Sequence, residues 1–143
     1  MYDDILVPTD GSDCARRAVE EAVRLATAFD AALHTFYVVD TELSGAEGGG
    51  AVVFDELEAE GERIVRDVVE RAEDAGVDTI EASVATGVPY RSILDYCEEY
   101  DVDLVVMGTH GRTGLERTLV GSVTEKVVRT SDVPVLTVSL PSE

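Results

Sequence analysis

The chain has 143 residues, 45% of them hydrophobic, which is enough to pack one core without a disulfide or metal staple. Thirty Asp and Glu against eleven Lys and Arg leave a formal net charge of −19. Such a surface repels phosphate backbones and anionic lipid, which excludes a general nucleic-acid or membrane-surface binder.

The first strand is predicted at Ile5-Leu6-Val7, ended by Pro8 and the turn Thr9-Asp10-Gly11. Ser12 is placed to cap a helix to about Phe29, with Ala15, Ala18, Val19, Ala22, Val23, Ala26 and Phe29 on one face. Leu33 to Val39 reads as a second strand. From Asp40 to Ala51 comes a loop ending in Gly48-Gly49-Gly50, a composition that favours mobility. A long helix is expected from about Val52 to Ala75, with Gly76 as its cap. Thr79 to Ala85 alternates as a strand, and Pro89 opens a helix through Ile93, Leu94 and Cys97. Leu104 to Met107 is a fourth strand. A glycine-rich loop, Gly108 to Val120, leads into a helix from Gly121 or Ser122 to Arg129, and Val133 to Val138 closes the chain as a strand.

This alternation, without repeats or a linker, predicts one α/β domain over residues 1–143: a doubly wound, Rossmann-like parallel sheet with helices on both faces. In such sheets ligands bind beyond the carboxyl ends of the strands, where the strand order reverses. Composition adds the setting. Ten of the eleven cations are Arg and the only Lys is Lys126, the balance of a halophile's protein, in which molar salt screens self-repulsion. Cys14 and Cys97, without a CxxC, read as two buried thiols of a reducing cytoplasm. The start Met1-Tyr2-Asp3-Asp4 lacks a basic leader, and no apolar run approaches the ~18 residues of a membrane span, so a cytoplasmic place is expected.

The strongest chemical signal is Gly108-Thr-His-Gly111-Arg-Thr-Gly114 followed by Gly121-Ser122-Val123-Thr124. A glycine-rich turn between a buried strand and a helix lets backbone N–H groups approach phosphate, and the hydroxyls of Ser122 and Thr124 can add to them. The loop is neither a Walker A sequence nor a G-x-G-x-x-G fingerprint. Gly108 to Thr130 holds four basic residues (Arg112, Arg117, Lys126, Arg129) and two acidic ones, a net of +2, whereas the rest of the chain carries seven against twenty-eight, −21. An anion site accounts for that placement; pairing of the four cations with neighbouring carboxylates is the alternative.

The spacing G-x2-G-x9-G-[ST], met here by Gly108, Gly111, Gly121 and Ser122, resembles the nucleotide motif of the ATP-binding universal stress proteins. Ile5 to Ser12 is similar to that family's first strand and turn, Gly87-Val88-Pro89 to its G-x-P turn, and Pro134-Val135-Leu136 to its closing strand. The resemblance implies five parallel strands in the order 3-2-1-4-5. It also implies an adenine site at Pro8, Thr9, Asp10 and Val38. Ribose and phosphates would lie on Met107, Gly108, Gly111, Gly121, Ser122, Val123 and Thr124. ATP is the implied ligand, with ADP or AMP as alternatives and Mg2+ or Mn2+ bridging the phosphates; no metal-ligand set or catalytic residue stands out in the chain. Val133 to Val138 would lie at a sheet edge and pair with its own copy, giving a homodimer.

Asp10 is better read as a turn residue than as a catalytic carboxylate. His110, inside the loop, is a weak candidate acid or base, and His34 carries no functional argument. Tyr90 and Tyr96 read as core cover. Two functions stay open: a regulatory binding module of the stress response, or a slow ATP hydrolase or phosphotransferase, for which Arg112 and Lys126 offer cations but no base is evident. The charge itself yields a first prediction. Since the Debye length shrinks from about 10 Å at 0.1 M to about 3 Å at 1 M salt, the melting temperature should rise steeply from low to molar KCl; a flat profile by calorimetry contradicts the halophile reading.

Overall fold

The structure, a computed structural model, describes residues 2–41, 50–110 and 121–140, without the side chains of 50–54. Five strands alternate with four helices: β1 (Asp4–Pro8), α1 (Asp13–Phe29), β2 (Ala32–Asp40), α2 (Gly50–Asp74), β3 (Ile80–Gly87), α3 (Pro89–Glu99), β4 (Leu104–Gly108), α4 (Ser122–Thr130) and β5 (Val135–Val138). All strand pairs are parallel, in the order β3-β2-β1-β4-β5. This is the expected doubly wound α/β sheet.

Local chemistry accounts for the boundaries. Ser12 Oγ accepts the Ala15 N–H at 3.2 Å and opens α1. That helix ends on Asp30 in the left-handed region (φ 56°), with the Ala31 N–H closing back on the Ala26 carbonyl. Gly76 takes φ 91° behind α2, as its position predicts, and the Val77 N–H reaches the Ala72 carbonyl. α2 begins at Gly50, two residues before the sequence suggests; the rest of the expected loop, 42–49, lies outside the described residues. β5 is shorter than expected: the Pro134 carbonyl accepts the Val105 N–H at 3.0 Å, but Pro134 has no N–H to return, so the strand register begins at Val135 opposite Val105.

Strand alternation divides the core in two. Ile5 and Val7 point to the α1 and α2 side, where they meet Ala18, Val19, Val68 and Ala72. Leu6 points the other way, into a cluster with Phe36, Ile93, Val105, Met107 and Val127 beneath α3 and α4. Both faces of the central strands are thus buried, as apolar runs in parallel strands require. Cys14 and Cys97 are free and buried; burial pushes the Cys97 thiol up to about 11.

At the amino ends of the strands, opposite the candidate site, lies a polar network. The buried His34 ring has Nε2 2.9 Å from Asp4 Oδ1 and Nδ1 2.7 Å from the Tyr96 hydroxyl. A carboxylate only accepts, so Nε2 donates to Asp4 and the hydroxyl donates to Nδ1. Burial foremost, then the neighbouring Tyr100, Glu81, Glu99 and Asp4, raise the Tyr96 pKa, which keeps that hydroxyl a donor. Tyr96 also stacks on Tyr100 and Phe36, with centroids 4.3 and 4.9 Å away. Tyr96→Phe leaves His34 Nδ1 buried without its donor, so it should cost about 1–3 kcal/mol in urea denaturation, whereas a solvated role predicts no change.

Candidate functional site

β1 and β4 are neighbours, Ile5 opposite Leu104 and Leu6 opposite Val105, so the chain segments leaving their carboxyl ends meet. On the β1 side the Thr9 N–H extends the ladder to the Phe36 carbonyl at 3.0 Å. Thr9 Oγ1 accepts the Gly11 N–H, and Asp10 Oδ1 accepts the Ser12 N–H at 2.9 Å. Asp10 therefore holds the turn that delivers α1, the structural role favoured for it from sequence.

On the β4 side, Gly108 fits against α1. A Cβ at Gly108 would lie 2.9 Å from Cys14 Sγ and 3.0 Å from the Cys14 carbonyl carbon and oxygen. The glycine is needed for this backbone approach, a reason distinct from any phosphate. The two ends of the glycine loop are then fastened together. Thr109 accepts the Gly121 N–H on its carbonyl at 2.6 Å, and Thr124 Oγ1 donates to the Gly108 carbonyl at 2.8 Å. Gly121 is the N-cap of α4 and, lacking a side chain, offers its first-turn N–H groups no side-chain acceptor. His110 Nδ1 lies 3.1 Å from Thr109 Oγ1, and among the described residues its buried Nε2 has no hydrogen-bond partner.

The structure thus brings Pro8, Thr9 and Asp10 to one end of the sheet with Met107, Gly108, Gly121, Ser122, Val123 and Thr124. Val38, Met107 and Val123 all pack on the α3 and α4 side of the sheet, with Met107 buried. Gly111 lies outside the described residues, as do Arg112 and Arg117. The two described cations of the basic stretch are committed elsewhere: Lys126 Nζ sits 4.9 Å from the Tyr90 ring centroid, and Arg129 pairs with Glu125. Pairing with a neighbouring carboxylate, the alternative given to the charge argument, thus holds for Arg129, while Lys126 lies on an aromatic ring instead. Sequence reading missed a groove of about 450 Å³ on the other side of the Thr9–Gly11 turn, lined by Arg16, Arg63 and Arg71. Arg16 and Arg71 there face Asp13, Asp67 and Glu20 at 3.2–3.9 Å. Among the described residues no cluster of three His, Cys, Asp or Glu could hold a metal ion, and no helix is long and apolar enough to cross a membrane.

Five parallel strands in the order β3-β2-β1-β4-β5, with helices on both faces, define the class of doubly wound, Rossmann-like α/β proteins. Within that class the assignment is specific, because the family model described as "Universal stress protein family" matches residues 1–139. The chain belongs to that family. It is 40% identical to universal stress protein MJ0531 of Methanocaldococcus jannaschii, over 100% of this chain and 85% of the relative. The solved structure of hypothetical protein MJ0577, from the same organism, superposes with a TM-score of 0.88 at 30% identity, covering 100% of this chain and 99% of that one. A universal stress protein crystallised in complex with cAMP superposes with a TM-score of 0.74 at 31% identity, covering 96% and 97%.

Proposed function

We propose that this chain binds adenine nucleotide, ATP in the first place, and acts as a regulatory binding module of the stress response in the cytoplasm. The observation that carries this reading is the start of α4 at the reversal point: Gly121 brings no side-chain acceptor to the first-turn N–H groups, and among the described residues the buried His110 Nε2, at the entry to the glycine loop, has no hydrogen-bond partner. The N–H groups favour an anion, and the buried imidazole nitrogen a polar partner. Pro8, Thr9, Asp10 and Val38 would frame the base, with ribose and phosphates on Met107, Gly108, Gly111 and the Gly121–Thr124 stretch. ADP and AMP fit the same frame, and the relative in complex with cAMP supports the adenine nucleotide class. Mg2+ or Mn2+ would be held by the phosphates, since the described residues offer no ligand cluster. Binding is favoured over hydrolysis because Asp10, the nearby carboxylate, is tied to the Ser12 N–H, and Lys126 lies over Tyr90.

Gly121→Val replaces the cap at which a phosphate must approach the backbone. Calorimetry should show ATP affinity at least tenfold weaker, about 1.4 kcal/mol, in a variant that keeps its circular dichroism; unchanged affinity defeats the assignment.

The same reading includes a homodimer through β5. This strand is at the sheet edge, has only four paired residues, and leaves Leu136 and Leu140 exposed. Light scattering in molar KCl should give twice the chain mass of 15.3 kDa, and Leu136→Asp should shift it to the monomer. A single-chain mass for the unmutated protein refutes the dimer.

A further inference from the structure

The other edge of the sheet is β3, and its exposed backbone is more extensive. All eight residues pair one-to-one with β2, from Leu33 opposite Ile80 to Asp40 opposite Gly87, without a bulge. The Leu33 N–H donates to the Thr79 carbonyl at 2.9 Å. In a parallel ladder that register turns the backbone groups of odd-numbered β3 residues onto β2, and those of Ile80, Ala82, Val84 and Thr86 outward. No strand pairs with them on the outer side. The devices that blunt such an edge are nearly absent: Ile80 to Gly87 holds no Pro and no Lys, and Glu81 is its one charge. Beside the strand runs a groove of about 460 Å³ against α2, lined by Val65, Val69 and Val84 and by Glu58, Glu62 and Arg66.

We propose that the β3 edge is a docking site for an extended, basic segment of a partner protein, added as a sixth strand. Main-chain bonds to the outward groups of Ala82 and Val84 would supply the pairing. Alternate side chains of the added strand face opposite sides of the sheet. One set, apolar, enters the groove against Val65, Val69 and Val84. The other set lies on the side of Glu81, and cations there meet this carboxylate within the field of a chain of net charge −19.

The test uses the full chain and a labelled octapeptide alternating Val and Lys, capped at both ends and followed by fluorescence anisotropy at the lowest KCl concentration at which circular dichroism shows the chain folded. Saturable binding is expected. It should weaken at least tenfold when the lysines become glutamates, when a proline replaces a central valine, and in Ala82→Pro, which removes an outward N–H but no bond to β2. Should Ala82→Pro fail to fold, Glu81→Lys, which reverses the carboxylate that the peptide's lysines meet, should weaken the same peptide at least fivefold. Equal binding of the proline peptide, or of the glutamate peptide, overturns the proposal. So does a protein mass in light scattering that falls on mutation of β3, since the edge would then be taken by a second copy.

Discussion

The parallel pairing of β1 with β4 sets Ile5 against Leu104 and Leu6 against Val105, and from this pair the chain winds outward in both directions. β1 is followed by α1 and β2 on one side, while β4 leads to α4 and β5 on the other. Their carboxyl ends must therefore diverge, leaving a crevice that no crossover fills. What makes the crevice narrow is the absence of a side chain at Gly108, which lets β4 end against the backbone of Cys14. On either side of that contact lie the Thr9–Ser12 turn and the fastened ends of the glycine loop, each held by its own hydrogen bonds.

The two ends of the sheet then take opposite polar strategies. At the amino ends every partner in the Asp4–His34–Tyr96 chain is supplied by the protein itself, and Asp103 adds acceptors for the N–H groups of Asp3 and Asp4. Such a satisfied network fixes geometry. At the carboxyl ends Gly121 gives the first turn of α4 no side-chain cap, and among the described residues His110 Nε2 lacks a partner. The contrast matters because an orphaned buried polar atom costs about 1–3 kcal/mol, a cost that a ligand can relieve.

Much of this was readable from local pattern. The apolar face of α1, its Ser12 cap, Gly76 behind α2 and the strand runs are short-range signals, and the structure repeats them with shifts of one or two residues. The two-residue shift at the start of β5 follows from the missing N–H of Pro134. The His34 network was not readable, since its partners stand 30 and 62 positions away in the chain. Nor does sequence separate the two reasons for a glycine at 108, because close packing against Cys14 and close approach of a phosphate both exclude a side chain. Local charge misled in part: Lys126 has the sequence neighbourhood of an anion site but lies over Tyr90.

The carbonyl of Val138, the last residue of β5, accepts from the Thr109 N–H at 2.9 Å and from Cys14 Sγ at 3.2 Å. One oxygen thus joins the sheet edge, the entry to the glycine loop and the start of α1. Were a ligand to prefer one position of the loop, and a protein surface one position of the edge, both would act on this shared hydrogen bond. Thermodynamic linkage would then make the relation reciprocal: whatever factor the first exerted on the affinity of the second, the second would exert on the first.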